Sequence, residues 1–214
     1  AIAALQDATQ VNPNNPAVYM ALSDAYLSAN LLEDALRSAR SALVVDGENP
    51  DSLAWFARHM TKIMGNTSAE ILNPNPTLSK QIPTEALTAL NHAIQLAPTR
   101  TDLWIQLGNL HSSTGATEEA KAIFASIASF EFATITDLLD AALYLSSVND
   151  HPSAIVCLEK GVSLDQTSTD QHLSSLYDFL AREYVTNHDI ASAIDILDEA
   201  IELIPEDSSF LSQK

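Results

Sequence analysis

Cysteine is nearly missing from these 214 residues: Cys157 stands by itself, which excludes an internal disulfide framework and any multi-cysteine zinc site. Basic residues are also scarce, ten Lys and Arg against 28 Asp and Glu, for a formal charge of −18. That charge repels nucleic-acid phosphates and anionic lipid, so no nucleic acid is expected as a partner and neutral or basic proteins remain. No stretch approaches the roughly 18 apolar residues of a membrane span, and no basic-then-apolar signal opens the chain. A soluble, cytoplasmic chain without membrane insertion is the expectation, although one cysteine does not fix the redox compartment. The five glycines are scattered singly, so no phosphate-cradling loop exists, and there is no G-x-S-x-G elbow. Among the six histidines (His59, His92, His111, His151, His172 and His188) no two share i, i+4 spacing or an H-E-x-x-H pattern. No catalytic residue, metal site or cofactor is therefore assigned. Strand signals are missing too, since no period-2 alternation bounded by hairpin dipeptides recurs.

What the chain does have is a core and a period. With 46% hydrophobic and 18% charged residues it is too apolar to stay disordered. Small residues recur at Ala1, Ala35, Ala86, Ala120, Ala154 and Ala193, with steps of 34, 51, 34, 34 and 39. This is one period of 34 with 17 residues added once and 5 added once. The columns Leu5, Ala39, Leu90, Phe124, Leu158, Leu197 and Pro13, Gly47, Pro98, Phe132, Gln166, Pro205 share both insertions. Apolar spacing inside each period is helical, as in Val18, Tyr19, Leu22, Ala25, Tyr26 and then Ala35, Leu36, Ala39, Ala42, Leu43. Each period is thus two helices, and the nine prolines all fit between units, at helix starts or in the long insertion, with none needed inside a helix. The fold class is all-α.

A 34-residue helix-turn-helix unit of this kind resembles the tetratricopeptide repeat family. Its pattern W-x2-L-G-x2-Y, A-x3-F-x2-A, P is met best by Trp104, Leu107, Gly108, His111, Gly115, Ala120, Phe124 and Ile127, with Phe132 where Pro is usual. Tyr19, Leu22, Ser23, Tyr26, Ala35, Ala39, Ala42 and Gly47 form a second match, and Tyr177, Leu180, Ala181, Tyr184, Ala193, Leu197, Ala200 and Pro205 a third. The unit with Leu138, Ala141, Ala142, Leu145, Ala154, Leu158 and Gly161 is weaker. The resemblance implies a right-handed superhelical α-solenoid.

The expected organisation is one solenoid domain over 1–214, beginning with the second helix of a truncated repeat at 1–15. Repeats follow at 16–49, 50–98, 101–134, 135–166 and 174–205, and a further helix begins in 206–214. The chain then reads as a piece of something longer, with apolar end faces that could associate end to end. The 17 added residues fall near 61–84, where Gly65, Asn66 and Pro74, Pro76 and Pro83 predict a protruding loop and a second functional candidate. Asn66-Thr67-Ser68 there also fits the glycosylation pattern. Cys157 reads as a small apolar side chain in a helix. Acidic residues crowd the end: between Asp150 and Lys214, 13 acids face only Lys160, Arg182 and Lys214, most simply as a solvated helix face.

In the family that the sequence resembles, first helices line a concave groove through the second, fifth, ninth and twelfth places of each unit. The resemblance places Ala17, Met20, Asp24 and Leu27 there, then Asp51, Ala54, Arg58 and Thr61, then Asp102, Ile105, Asn109 and Ser112. Thr136, Leu139, Leu143 and Ser146 follow, and then Ser175, Asp178, Arg182 and Val185. The candidate peptide-binding residues are Met20, Asp24, Leu27, Arg58, Ile105, Asn109, Leu139, Leu143, Asp178 and Arg182. Fifth and ninth places reading Met-Asp, Ala-Arg, Ile-Asn, Leu-Leu and Asp-Arg do not assemble the family's carboxylate clamp. Sixth places Ala21, Trp55, Gln106, Asp140 and Phe179 lack the asparagine ladder of its sugar-transferase members. The expectation is a non-enzymatic scaffold that binds a protein or peptide with apolar anchors and basic flanks. Two alternatives stand beside it: a regulatory or substrate-presenting arm of a larger enzyme, and a self-assembling spacer.

Overall fold

A computed structural model describes residues 1–66, 76–164 and 171–203. Among the described residues there are eleven α-helices and no strand. In chain order they are α1 (Ile2–Val11), α2 (Pro16–Ser28), α3 (Leu32–Asp46), α4 (Pro50–Asn66), α5 (Pro76–Leu96) and α6 (Thr101–Ser113). The remainder are α7 (Thr117–Ile127), α8 (Ile135–Ser147), α9 (His151–Leu164), α10 (Gln171–Thr186) and α11 (Ile190–Leu203). Contacts divide the chain into two compact bodies, Ala1–Gly115 and Ala116–Lys214.

Two small-residue columns explain the helical pairing. In the second helices Ala35, Ala86, Ala120, Ala154 and Ala193 are all 2% exposed or less. In the first helices Ser23, Ala57, Gly108, Ala142 and Ala181 are buried as well. In the pairs α2–α3, α4–α5, α8–α9 and α10–α11 a small side chain at these places lets two helix axes approach closely, while larger neighbours fill the space beside them. Among those neighbours, Leu36, Leu90, Phe124, Leu138, Leu158 and Leu180 are 2% exposed or less. Burying a side chain of this size is worth about 1.5–3 kcal/mol, so each turn of helix contributes to holding its partner.

The turn between paired helices repeats as well. Asn30, Asn149 and His188 carry φ of 60°, 60° and 63°, and Gly115 carries 80°, each one turn before a second helix. Glycine adopts this left-handed backbone without penalty and asparagine with little, whereas histidine holds it at a cost of about 1–2 kcal/mol. Other ends are fixed by side chains. Asn15 Oδ1 accepts from Ala17 N–H at 3.1 Å ahead of Pro16. At the start of α8, Thr134 Oγ1 accepts from Asp137 N–H at 3.2 Å while Asp137 Oδ2 accepts from Thr134 N–H at 2.9 Å, a reciprocal capping box.

In the Ala1–Gly115 body, α2 packs on α3 and α4 on α5, with α1 against α2, α3 against α4, and α6 against both α4 and α5. In the Ala116–Lys214 body, α8 pairs with α9 and α10 with α11, α7 lies against α8 and α9, and α9 joins α10. That last approach is tight: a β-carbon on Gly161 would lie 3.2 Å from Leu176 Cδ2. Lys160 reaches back from α9, its Nζ donating to the carbonyls of Ala128 at 2.8 Å and Phe130 at 2.5 Å, so the exposed end of α7 is capped by a charge.

The insertion corrects two expectations. Instead of a loop through 61–84, α4 runs on to Asn66 and α5 starts at Pro76, which leaves 67–75 outside the described residues together with most of the glycosylation tripeptide. Pro83 lies inside α5, contrary to the expectation that no proline interrupts a helix. Its missing N–H removes one helical hydrogen bond, but Ile82 and Ala86 on either side are fully buried, so packing offsets the loss.

Replacing His188, whose side chain is exposed, with glycine relieves the left-handed strain. A gain of about 0.5–1 kcal/mol is expected from urea unfolding of His188→Gly against the parent chain. A loss of stability would mean that the histidine side chain is needed at that turn.

Candidate functional site

The first helices α2, α4 and α6 of the Ala1–Gly115 body are tied together by polar side chains one repeat apart. Ser23 on α2 is fully buried and donates its hydroxyl proton to the carbonyl of Ala35 at 2.6 Å. Its oxygen then accepts from Nε2 of His59 on α4 at 2.7 Å. The His59 ring stacks on Trp55 with centroids 4.8 Å apart, and its Nδ1 lies 3.4 Å from Asp24 Oδ1. Lys62 Nζ reaches the same Asp24 oxygen at 3.4 Å. Serine, histidine and aspartate in line resemble a nucleophilic triad, but a hydroxyl sealed from solvent and committed to a carbonyl cannot meet a substrate. The trio instead sets how α2 sits on α4.

Farther along the same face, Arg100 binds both Asp51 at the start of α4 and Asp102 at the start of α6, the latter at 2.8 Å. Those two carboxylates hold the guanidinium's pKa above its ordinary value. Between α4 and α6 lies a cleft of about 270 Å³ lined by Arg58, Thr61, Lys62, Gln106 and Asn109 over Ala57, Leu90 and Leu110. Arg58 is exposed and has no ion-pair partner among the described residues. The side-chain oxygen of Gln106 is buried and accepts no hydrogen bond among the described residues, which leaves an unsatisfied acceptor worth about 1–3 kcal/mol.

Of the candidate residues in this body, Arg58 and Asn109 line that cleft. Met20, Asp24, Leu27 and Ile105 are half-buried, and Leu27 packs on the Leu22, Tyr26, Ala35 cluster. Ala54 does not belong to an open surface at all, being 1% exposed. Sequence reasoning missed the Ser23–His59 junction, whose only trace is a pair of polar residues at inward-facing places about one period apart.

In the Ala116–Lys214 body the corresponding link is a buried carboxylate. Glu183 on α10, 4% exposed, accepts from Ser146 Oγ of α8 at 2.7 Å and from His151 Nδ1 at the start of α9 at 2.8 Å. One carboxylate thus links α8, α9 and α10. Leu143 of α8 is 57% exposed and Val185 of α10 50% exposed, while Leu139 is half-buried. Asp178 and Arg182, the remaining candidates, pair along α10 at 3.0 Å. Asp140 is exposed on α8, and its carboxyl is pushed up by partial desolvation and by Asp137 nearby.

Other chemistry points inward. Cys157 is fully buried with its thiol pushed up to about 11, chiefly by desolvation, so it is not a reactive thiolate. Glu199, within the acidic run on α11, accepts from the Tyr177 hydroxyl at 2.9 Å, so that run is partly structural. Among the described residues no group of three or more His, Cys, Asp or Glu could hold a metal ion, and no helix is long and apolar enough to cross a membrane.

Comparison with known proteins agrees with this architecture. Residues 101–129 match the tetratricopeptide repeat family model. Among solved structures the chain is similar to the MamA protein, at 16% identity and a TM-score of 0.54 over 88% of this chain and 91% of that one. It is similar to YrrB, described as a TPR protein with an unusual peptide-binding site, at 16% identity and 0.52 over 100% and 98%. It is also similar to pilF of Pseudomonas aeruginosa, at 17% and 0.53 over 98% and 87%. No curated protein matches the sequence. The fold is that of tetratricopeptide repeat proteins, as the sequence pattern implied.

Burial pulls the His59 pKa below its ordinary 6.5 despite the nearby Asp24. Between 6.5 and that lower value the unfolded chain takes up a proton that the folded chain refuses, so stability falls as pH drops through this window. Urea midpoints are expected to fall further for the parent than for His59→Gln between about pH 7.5 and about pH 5.5. Parallel curves for the two chains would show that His59 does not titrate in the way its burial requires.

Proposed function

We propose that this chain, built on the tetratricopeptide-repeat fold, is a non-enzymatic protein–protein interaction scaffold that receives a peptide or protein segment on the face of its first helices. The observation that carries this reading is the exposure of Leu143 and Val185, at 57% and 50%, on two helices joined through the Ser146–Glu183 hydrogen bond. Two large apolar side chains held open on linked helices favour apolar anchors from a partner.

The surrounding charge supports a basic partner for this body. Residues 116–214 carry 18 acids against Lys121, Lys160, Arg182 and Lys214, a net of −14, and Asp140 and Asp178 stand on the same two helices as the apolar pair. A segment alternating apolar and basic residues would be steered in by the field and anchored by burial. In the Ala1–Gly115 body the cleft between α4 and α6 offers different chemistry: Arg58 and Asn109 can donate to a peptide carbonyl. Met20, Asp24, Leu27 and Ile105 then border this surface as partly buried supports.

Leu143→Asp combined with Val185→Asp changes two exposed positions and should leave helicity unaltered. Loss of two apolar anchors is expected to weaken binding by about 10–100-fold. Affinity capture from a lysate of the source cells, read by mass spectrometry, should therefore lose its specific partner with the double variant. Capture that survives the double variant would place the partner elsewhere on the chain.

A further inference from the structure

A second pocket lies in the Ala1–Gly115 body among α3, α4 and α5. Its volume is about 490 Å³, nearly twice that of the cleft between α4 and α6, and within the range of sites that hold small ligands or anchoring side chains. The floor is apolar, made by Leu43 of α3, Leu53 and Phe56 of α4 and Ala89 of α5. Leu53, Phe56 and Ala89 are each 4% exposed or less, so the floor is fixed by the core beneath it.

Charges at its edge are unequal. Arg40 is held by both oxygens of Glu85, through Nε at 3.1 Å and an Nη at 2.9 Å, and Gln81 donates to the same carboxylate at 2.8 Å. That pair cancels and forms a rigid wall. Glu48 is different: its side chain is 85% exposed, and its ion-pair partner is His92 at 3.5 Å, longer than a good hydrogen bond. One uncompensated carboxylate therefore stands at the mouth of an apolar pocket on a chain of charge −18.

We propose that this pocket seats a second segment of a partner protein, in which a leucine- or phenylalanine-sized side chain adjoins a lysine or arginine. The apolar group covers the Leu43–Phe56 floor and the cation lies against Glu48. An isolated charge contact at an exposed carboxylate is weak, about 0.2–1 kcal/mol, and most of the affinity comes from the floor. A protein occupant is favoured over a free amine because other contacts of the same partner raise the local concentration of the segment to the millimolar range such a pocket requires. The site shares no lining residue with the cleft between α4 and α6, and its assignment to a protein segment rests on the proposed scaffold function, which supplies the tether.

The test is an NMR titration of the ¹⁵N-labelled full chain with acetyl-Phe-Lys-amide, acetyl-Phe-Glu-amide, acetyl-Ala-Lys-amide and phenethylamine. The Phe-Lys probe is expected to shift the amides of Gly47, Glu48 and Thr88 with saturation, and to bind about 5-fold more tightly than the Phe-Glu probe and about 10-fold or more tighter than the Ala-Lys probe. Thr88→Trp, at an exposed helical position of the lining, should fill the pocket and abolish these shifts with the helical circular dichroism intact. Glu48→Lys should remove the preference for Phe-Lys over Phe-Glu. Equal affinity for the two charged dipeptides, shifts confined to Arg58 and Asn109, or binding unchanged in Thr88→Trp would overturn the proposal. Phenethylamine binding as tightly as the Phe-Lys probe would overturn its assignment to a protein segment.

Discussion

Close approach between paired helices, possible only where a side chain is a methyl or smaller, is the constraint from which the other features follow. Within the two bodies Ala35, Ala86, Ala154 and Ala193 occupy it in the second helices, and Ala57, Ala142 and Ala181 in the first. Since an alanine pays no side-chain entropy in a helix and creates no void at such a contact, one residue type serves both helix formation and packing. Repeating it along the chain repeats the hairpin within each body.

Apolar packing alone is not strongly directional, and buried polar junctions supply what it lacks. The Ser23–His59 bond joins α2 to α4, and Glu183 joins α10 to both α8 and α9. Leaving a buried hydrogen-bonding group without its partner costs about 1–3 kcal/mol, so a register that separates these groups is disfavoured. The functional consequence is geometric. Arg58, Gln106 and Asn109 converge on one cleft, and Leu143 and Val185 stand exposed on linked helices, because the helices that carry them resist sliding.

Much of this was legible from spacing. The alanine column pointed to an all-α fold of paired helices, which the eleven described helices show, since a buried small residue leaves the same mark in sequence each time it recurs. The insertion was less legible. Gly65, Asn66 and three prolines argued for a loop, yet α4 reaches Asn66 and α5 accommodates Pro83, because burial of Ile63, Ile82 and Ala86 outweighs local propensity. Ala54 occupies a groove place by counting but is buried, since counting fixes the face of an ideal helix and not how closely a neighbour covers it. The pocket over Phe56 left no trace at all, being formed by residues of three helices whose separation no local pattern encodes.

The central claim is that a partner meets the Ala116–Lys214 body on its first helices α8 and α10. Site-specific photocrosslinking tests it most directly, with a benzophenone amino acid placed in turn at Leu143, at Val185 and at Val156, which is 52% exposed on the second helix α9. With source-cell lysate, positions 143 and 185 should yield the same discrete adduct and position 156 none. An adduct formed from position 156 and absent from 143 and 185 would contradict the account.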